Sequence, residues 1–460
     1  VTATVRRAGG FAAVGLLALA VPYVASVTRT ALSTVLAPAP FVVVAALALY
    51  VVDDGPLFEL FARPGDRRDG RLYGLAGFAL AAAGLALLAV RFGMPMPVFV
   101  GTVLLLSWGN LGGHAVRALS NEPIIATAGF VVVASVAGAA GQFGGAAFVP
   151  TTLAWPLVAF LATSGALMAA LLRVVLFERD DPLVMVSVGL LLWLFFDLQV
   201  PVSTSGIAVA LAVTVVLGVV SYVLETASLP GMLTGVLLGL LTIVLGGQGW
   251  FVILMTFFGI GGLASKFRYD EKKERGIAEE NEGARGSGNV LANSLVGLVA
   301  VLGAAASPSM TTLPRVLFLF AFAGSVAAAM SDTLSSEIGG VFDGPRLITT
   351  FERVEPGTDG AVTWQGELAG FAGAGLIAAI ALVMFETVSP TGAGVVLAAG
   401  VVGMTVDSVL GATLEGVWLE NEGVNFAATL AGALCAAVLA VAFGIDSLSV
   451  SPSLFLSLYP

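Results

Sequence analysis

Charge is what this sequence has least of. Only 11% of its 460 residues are Asp, Glu, Lys or Arg, while 58% are hydrophobic and the mean hydropathy is +1.00. An ordinary soluble domain carries roughly 25% charged residues, and a globule of this size needs a polar exterior that the composition does not supply. A water-soluble enzyme or a secreted module is thereby excluded, and the bilayer is the solvent. Lysine is almost missing: Lys266, Lys272 and Lys273 stand beside 17 arginines, and a net charge of −10 leaves no basic stripe for nucleic acid. The single cysteine, Cys435, excludes an intramolecular disulfide and a cysteine metal cluster. The single histidine, His114, excludes a histidine-based metal centre.

What the sequence has instead is apolar runs long enough to cross ~30 Å of hydrocarbon. They fall near 11–27, 31–52, 72–90, 96–116, 124–142, 153–172, 183–199, 205–224, 229–246, 248–264, 288–305, 314–331, 367–388, 391–411 and 424–443. The first follows Arg6 and Arg7, as a secretory signal would, but a second run begins at Ala31, so a first membrane helix is the better reading. The expected fold class is therefore all-α, a polytopic integral membrane protein of about fifteen transmembrane helices. Its expected organisation is an N-terminal membrane domain over 1–228, a second over 229–446 and a tail over 447–460.

With the N-terminus inside, seventeen of the twenty basic residues fall on the cytoplasmic side, and only Arg29, Arg91 and Arg315 fall outside. That bias is what the positive-inside rule requires of a correct topology. The expected location is the cell membrane, multi-pass. Two long polar segments, 265–288 and 339–366, then face the cytoplasm. The first mixes both signs of charge and reads as a solvated connector. The second has little net charge and is rich in Gly, Pro and Thr.

An ionisable side chain in a membrane helix costs about 2.5–3.5 kcal/mol on insertion scales, so each one is a functional candidate. They concentrate in the C-terminal half. Asp332 ends a helix within MSDTLSSEIGG, with Ser336 at i+4 and Glu337 on a neighbouring face. Asp407 lies within VVGMTVDSVLGATLEG, with Gly411 and Glu415 at i+4 and i+8. Arg285, Asn289 and Asn293 share one helical face. All three groups sit at cytoplasmic helix ends. Carboxylates there suit a Mg²⁺-bound phosphate, because Mg²⁺ takes oxygen ligands and is usually held by one or two carboxylates plus substrate phosphates. The expected metal candidates are Asp332, Glu337 and Asp407. Lys266 and Arg346 are expected to neutralise phosphate oxygens, as a point charge and a bidentate fork. Two simpler readings stay open: the aspartates snorkel to water, and the asparagines serve as interhelical hydrogen-bond glue.

Beyond single residues, the stretch from about Gly231 to Gly444 resembles the integral-membrane family once called domain of unknown function 92, which includes plant phytyl-phosphate kinase. The motifs that carry the resemblance are GMLTGVLLGL, ASKFRYDEKKERG, ARGSGNVLANS, SDTLSSEIGGVFDGPRLITTFERVEPGTDGAVTWQG, DSVLGATLEG and NEGVNF. It covers a little under half the chain. The resemblance implies a kinase, dependent on CTP or another nucleoside triphosphate, that converts an isoprenyl monophosphate into its diphosphate at the cytoplasmic face of the membrane. Carried over at matching motif positions, the expected site comprises Lys266, Arg285, Asn289, Asn293, Asp332, Ser336, Glu337, Arg346, Thr349, Thr350, Thr358, Asp407 and Glu415. The implied partners are CTP, an isoprenyl phosphate lipid and the bilayer, with a homodimer compatible with the sequence.

The N-terminal half is weakly similar to phytol and dolichol kinases through SWGNLGGHAVRALSNEPIIATAGF. Aligning Asn110 with Asp332 makes the halves a divergent duplication in which the first copy has lost an acidic metal-binding candidate. Two other activities remain open. A lipid cytidylyltransferase would use the same Mg·CTP chemistry but release pyrophosphate. A secondary transporter would hold its carboxylates near the bilayer midplane.

Overall fold

A computed structural model describes residues 2–28, 30–149, 152–175, 181–223, 228–276, 287–307 and 309–445. The fold is all-α. Among the described residues, fourteen helices are long and apolar enough to cross a membrane. The expected fifteenth span, 183–199, is the helix Asp181–Asp197, whose 17 residues place it at the short limit for crossing. Counted as a crossing helix, it keeps the parity on which the charge pattern depends. The run expected at 31–52 is interrupted: Thr30–Leu36 ends before Pro38, and a new helix, Ala39–Tyr50, starts with proline in its first turn. Proline is tolerated there because the first-turn N–H groups have no intrahelical partner. The tail over 447–460 lies outside the described residues.

The chain divides into two compact units, Val1–Val209 and Ala210–Pro460, with the division inside the helix Thr204–Val223. In the first unit, the helices Met96–Arg117 and Pro123–Ala146 pack so closely that a β-carbon on Gly141 would come within 2.9 Å of the Val100 carbonyl oxygen. Asn110 and His114 line a small cavity beside Arg7, Arg63, Arg173 and Asp181. Asp181 accepts from Arg63 at 2.8 Å, and the Arg63 and Arg173 guanidinium groups lie over the rings of Phe11 and Phe130.

The second unit contains the helices α1 (Leu229–Leu241), α2 (Gln248–Lys266), α3 (Tyr269–Glu274), α4 (Ser287–Ala306), α5 (Arg315–Gly339), α6 (Trp364–Met384), α7 (Pro390–Thr413) and α8 (Asn421–Ala442). Sequence signals set their starts. Ser228, Thr363 and Ser389 each accept a hydrogen bond from the backbone N–H three residues on, capping α1, α6 and α7. The last turn of α1 widens into a π-helix over Thr242–Gly246, and Gly247 at φ +108° reverses the chain into α2.

Helix α5 is the axis of this unit, packed by α2, α4, α6, α7 and α8. Small residues bring the backbones together, as in other membrane bundles. The Gly324 and Gly432 backbones meet so closely that a β-carbon on either would stand 2.6 Å from the other's carbonyl oxygen. A β-carbon on Gly403 would stand 2.2 Å from Ala328. Ser331 donates to the Gly370 carbonyl at 2.8 Å, tying α5 to α6. This packing fixes where the last two turns of α5 point.

Candidate active site

The helices α2, α5 and α7 end, and α4, α6 and α8 begin, at the same end of the second unit. A polar cavity of about 380 Å³ opens there, lined by Lys272, Asp332, Ser336, Glu337, Thr358, Asp359, Asp407, Glu415 and Asn421 among others. Asp332 lies seven residues before the end of α5 and Asp407 six before the end of α7. At 1.5 Å per residue, both carboxylates sit about 10 Å inside the helix ends.

Asp332 and Asp407 line the same cavity, with their carboxyl groups close enough to interact. Two carboxylates this close repel unless a proton or a cation sits between them. Asp407 Oδ1 is buried with no hydrogen bond to it, a costly state for an anionic oxygen. Glu415 follows α7 by two residues. Burial, and then the nearby charges of Asp359 and Asp407, push its carboxyl above the usual glutamate range. The cavity thus gathers five carboxyl side chains around one lysine.

That lysine is Lys272, which nothing in the sequence pattern distinguishes from Lys266 or Lys273. Arg268, at φ +48°, turns the chain back at the end of α2, so that α3 carries Lys272 beneath the helix terminus. Its ammonium is buried and uses all three of its donors. It donates to the α2 carbonyls of Ala264 at 3.2 Å and Ser265 at 2.6 Å, and to Glu337 Oε2 at 2.5 Å. A cation at a helix C-terminus also meets the negative end of the helix dipole.

The segment between α5 and α6 covers one side of the cavity as a folded flap. Two short antiparallel strands, β1 (Arg346–Leu347) and β2 (Ala361–Val362), pair Arg346 with Val362 and Leu347 with Ala361. Thr363 joins the two ends of the flap, capping α6 while donating to the Gly339 carbonyl at 3.3 Å. Gly360, at φ +73°, lies against the last turn of α7. A β-carbon there would stand 2.5 Å from Ser408 O, Ala412 N and Ala412 Cβ. Arg275 reaches the flap through Asp343 at 3.1 Å.

The structure therefore brings together Asp332, Ser336, Glu337, Thr358, Asp407 and Glu415 of the expected residues. It places others elsewhere. Lys266 ends α2 on an exposed position, outside the cavity lining. Arg346 is exposed on β1 and donates to the Phe351 carbonyl at 2.6 Å. Thr349 and Thr350 occupy the exposed turn of the flap. Asn293 is buried in α4 and donates to the Asn289 carbonyl and side-chain oxygen at 3.1 and 3.3 Å. That pair stands beside the start of α8, where a β-carbon on Gly288 would meet Glu422 at 3.1 Å. A matching pair on α8, Asn425 donating to Asn421, delivers Asn421 to the cavity wall. Arg285 lies outside the described residues. Sequence reasoning missed Lys272, Asp359 and Asn421, although each lies in a motif it had singled out.

Among the described residues, no three His, Cys, Asp or Glu side chains form a closed metal cage. A Mg²⁺ site does not need one, since waters and substrate phosphates usually complete its octahedron. The buried, unpartnered Asp407 oxygen beside Asp332 is an oxygen donor set of the right kind.

The integral membrane protein DUF92 family model matches residues 212–433, so all of the cavity lies within the match. An uncharacterized membrane protein of Methanocaldococcus jannaschii is 36% identical over 207 residues, covering 44% of this chain and 82% of that protein. An uncharacterized membrane protein of Synechocystis is 36% identical over 207 residues, covering 44% of this chain and 76% of its own. Protein VTE6, chloroplastic, of Arabidopsis thaliana is 32% identical over 203 residues, which are 43% of this chain and 60% of the plant protein. No solved structure matches the chain.

Proposed function

The chain belongs to the integral membrane family DUF92, and on that premise we propose that its second unit is a membrane phosphotransferase. It moves the γ-phosphoryl group of CTP, or of another nucleoside triphosphate, onto an isoprenyl monophosphate of the phytyl or geranylgeranyl type. An oxygen of the prenyl phosphate forms the new bond to the γ-phosphorus. The bond from that phosphorus to the β-bridging oxygen breaks, and the nucleoside diphosphate leaves.

The observation that carries this reading is the Asp332–Asp407 pair, with a buried unpartnered oxygen, in an acidic cavity at a helix-bundle end. Phosphate groups do not enter a cavity of five carboxyls and one ammonium by themselves. Asp332 and Asp407 are the residues to hold Mg²⁺, which when bound supplies the positive charge that phosphate oxygens require. Glu337 also lines the cavity, but one of its oxygens is committed to Lys272. Ser336, Thr358 and Asn421 orient phosphate and nucleotide, while Lys272, its three donors committed to α2 and Glu337, contributes only its positive charge to the wall. A phosphate monoester is already a competent nucleophile at neutral pH, so the residues have to position and to compensate charge rather than abstract a proton. The resemblance to the family of plant phytyl-phosphate kinase supports the choice of acceptor.

The face is argued from charge. Of the eight basic residues described in the second unit, seven lie at the cavity end and only Arg315 at the other. The positive-inside rule then turns the cavity to the cytoplasm. The exposed aromatic side chains of Phe351, Trp364 and Trp418 at this end suit a membrane–water interface. A carboxylate pair about 10 Å from one end of α5 and α7, nearer that end than the helix middles, also argues against a midplane transport site.

Purified chain in lipid nanodiscs, given CTP labelled in turn at the α- and γ-phosphate together with geranylgeranyl monophosphate, tests this function. Label on the lipid from the γ-phosphate alone is expected. Lipid label from the α-phosphate would mean cytidylyl transfer, and no lipid label with any nucleoside triphosphate would remove the phosphotransferase reading.

A further inference from the structure

A second cavity, of about 330 Å³, runs along the apolar side of α1 and α2 and is closed on one flank by residues 214–221 of the preceding helix, which belong to the same unit. Its far end is at Gly239 and Phe251; its near end is at Gly262, Leu263 and Val290. From Phe251 to Leu263 it follows α2 for about 18 Å. Its walls are almost wholly apolar: Thr214, a hydroxyl at the far end, turns back to donate to the Ala210 carbonyl at 2.7 Å.

Glycines make the space. Elsewhere in the unit, glycine lets helices touch: at Gly324, Gly370, Gly403 and Gly432 an added β-carbon would collide with a neighbouring helix. Along this groove Gly235, Gly259 and Gly262 behave differently. A β-carbon at any of the three meets no atom within 4 Å. Gly262 is buried nonetheless. Helix interiors pay for glycine with roughly 0.5–1 kcal/mol relative to alanine, and here no helix contact is gained in return. The empty volume itself is what these residues preserve.

The near end lies on the helix end that backs the candidate active site. Gly262 and Leu263 belong to the last turn of α2, and the next two residues, Ala264 and Ser265, offer the carbonyls that hold Lys272 in the wall of the polar cavity. Val290 adjoins Asn289 at the start of α4. The apolar groove and the polar cavity thus lie on successive stretches of one helix end, an arrangement that suits a molecule with a single apolar chain and a phosphate at its tip.

Resting on the phosphotransferase reading for the identity of its headgroup, we propose that this groove binds the isoprenyl chain of the acceptor, phosphate end at Gly262 and Val290 and chain tip at Gly239 and Phe251. The glycines leave width for the methyl branches of an isoprenoid. A phospholipid, with two acyl chains on one headgroup, does not match a single groove.

The test uses the full chain in phosphatidylglycerol nanodiscs with a geranylgeranyl monophosphate analogue that carries a photoreactive diazirine near the chain tip. Cross-links are expected on peptides of α1 and α2, competed by unlabelled geranylgeranyl monophosphate. In Gly259→Leu and Gly235→Leu they should fall at least tenfold, with thermal stability kept or raised because the new side chains enter open space. Gly259→Ala should show a small effect and serves as the control for folding. Cross-links confined to other helices, equal competition by added phosphatidylglycerol, or undiminished labelling in both folded leucine variants would each overturn the groove assignment. Groove cross-linking without any phosphoryl transfer would leave this site standing and remove the kinase reading. Transfer with cross-links elsewhere would do the reverse.

Discussion

Lys272 and Glu337 form the most constrained ionic contact of the site, with both side chains nearly out of water. Truncating one partner of a buried pair leaves the other's charge uncompensated, at a cost of about 3–5 kcal/mol. Lys272→Met should therefore lower the melting temperature of the detergent-solubilised protein sharply, and adding Glu337→Gln should recover part of the loss. An additive double variant would show that the pair is not coupled. Glu415 makes the opposite prediction. Its carboxyl is raised above the usual range by burial and then by Asp359 and Asp407, so the folded state binds its proton more tightly than the unfolded state does. Below the unfolded value both states are protonated and nothing is lost; as pH rises towards the folded value, stability falls. Glu415→Gln should accordingly raise the melting temperature in metal-free buffer at pH 8 and leave it nearly unchanged at pH 4. Thermal scans at the two pH values check the sign.

At the scale of elements, the flap over 340–363 is held to α7 by a contact with no room for a side chain. Gly360→Ala combines a left-handed backbone, disfavoured for alanine by roughly 1–2 kcal/mol, with collisions at Ser408 and Ala412. It should lift the flap and lower turnover while the bundle stays folded, seen as a fall in kcat with little change in the helical circular dichroism. Turnover equal to that of the unaltered chain would mean the flap takes no part in the reaction. The same element shows where sequence reading stops. Asp332 and Asp407 were legible because a carboxylate within an apolar helix is costly and therefore conspicuous. Arg346 and Lys266 were not separable from Lys272 in the same way. Strand pairing turns Arg346 to an exposed position, and the reversal at Arg268 exchanges Lys266 for Lys272, both through backbone geometry that leaves no hydropathy signal. Lys272 read as part of a solvated charge run because its neighbours Lys273 and Glu274 are solvated.

For the whole molecule, membrane class and helix number were readable from hydropathy alone, since each span must satisfy its own backbone within the bilayer. What hydropathy does not encode is which glycines pack and which leave space. That difference separates the bundle around α5 from the groove along α1 and α2, and it emerges only once neighbouring helices are in place. Polar cavity, flap and groove all lie within the stretch that matches the family model. The second unit therefore holds the residues to which the proposed reaction is assigned, Asp332 and Asp407 among them. Steady-state transfer of γ-labelled phosphate from CTP to geranylgeranyl monophosphate, compared between the unaltered chain and Asp332→Asn or Asp407→Asn of equal melting temperature, decides the matter. Each variant should lose at least about a hundredfold in kcat, in the range seen when one electrostatic stabiliser of a transition state is removed. Turnover within a factor of two of the unaltered chain in either variant would contradict it.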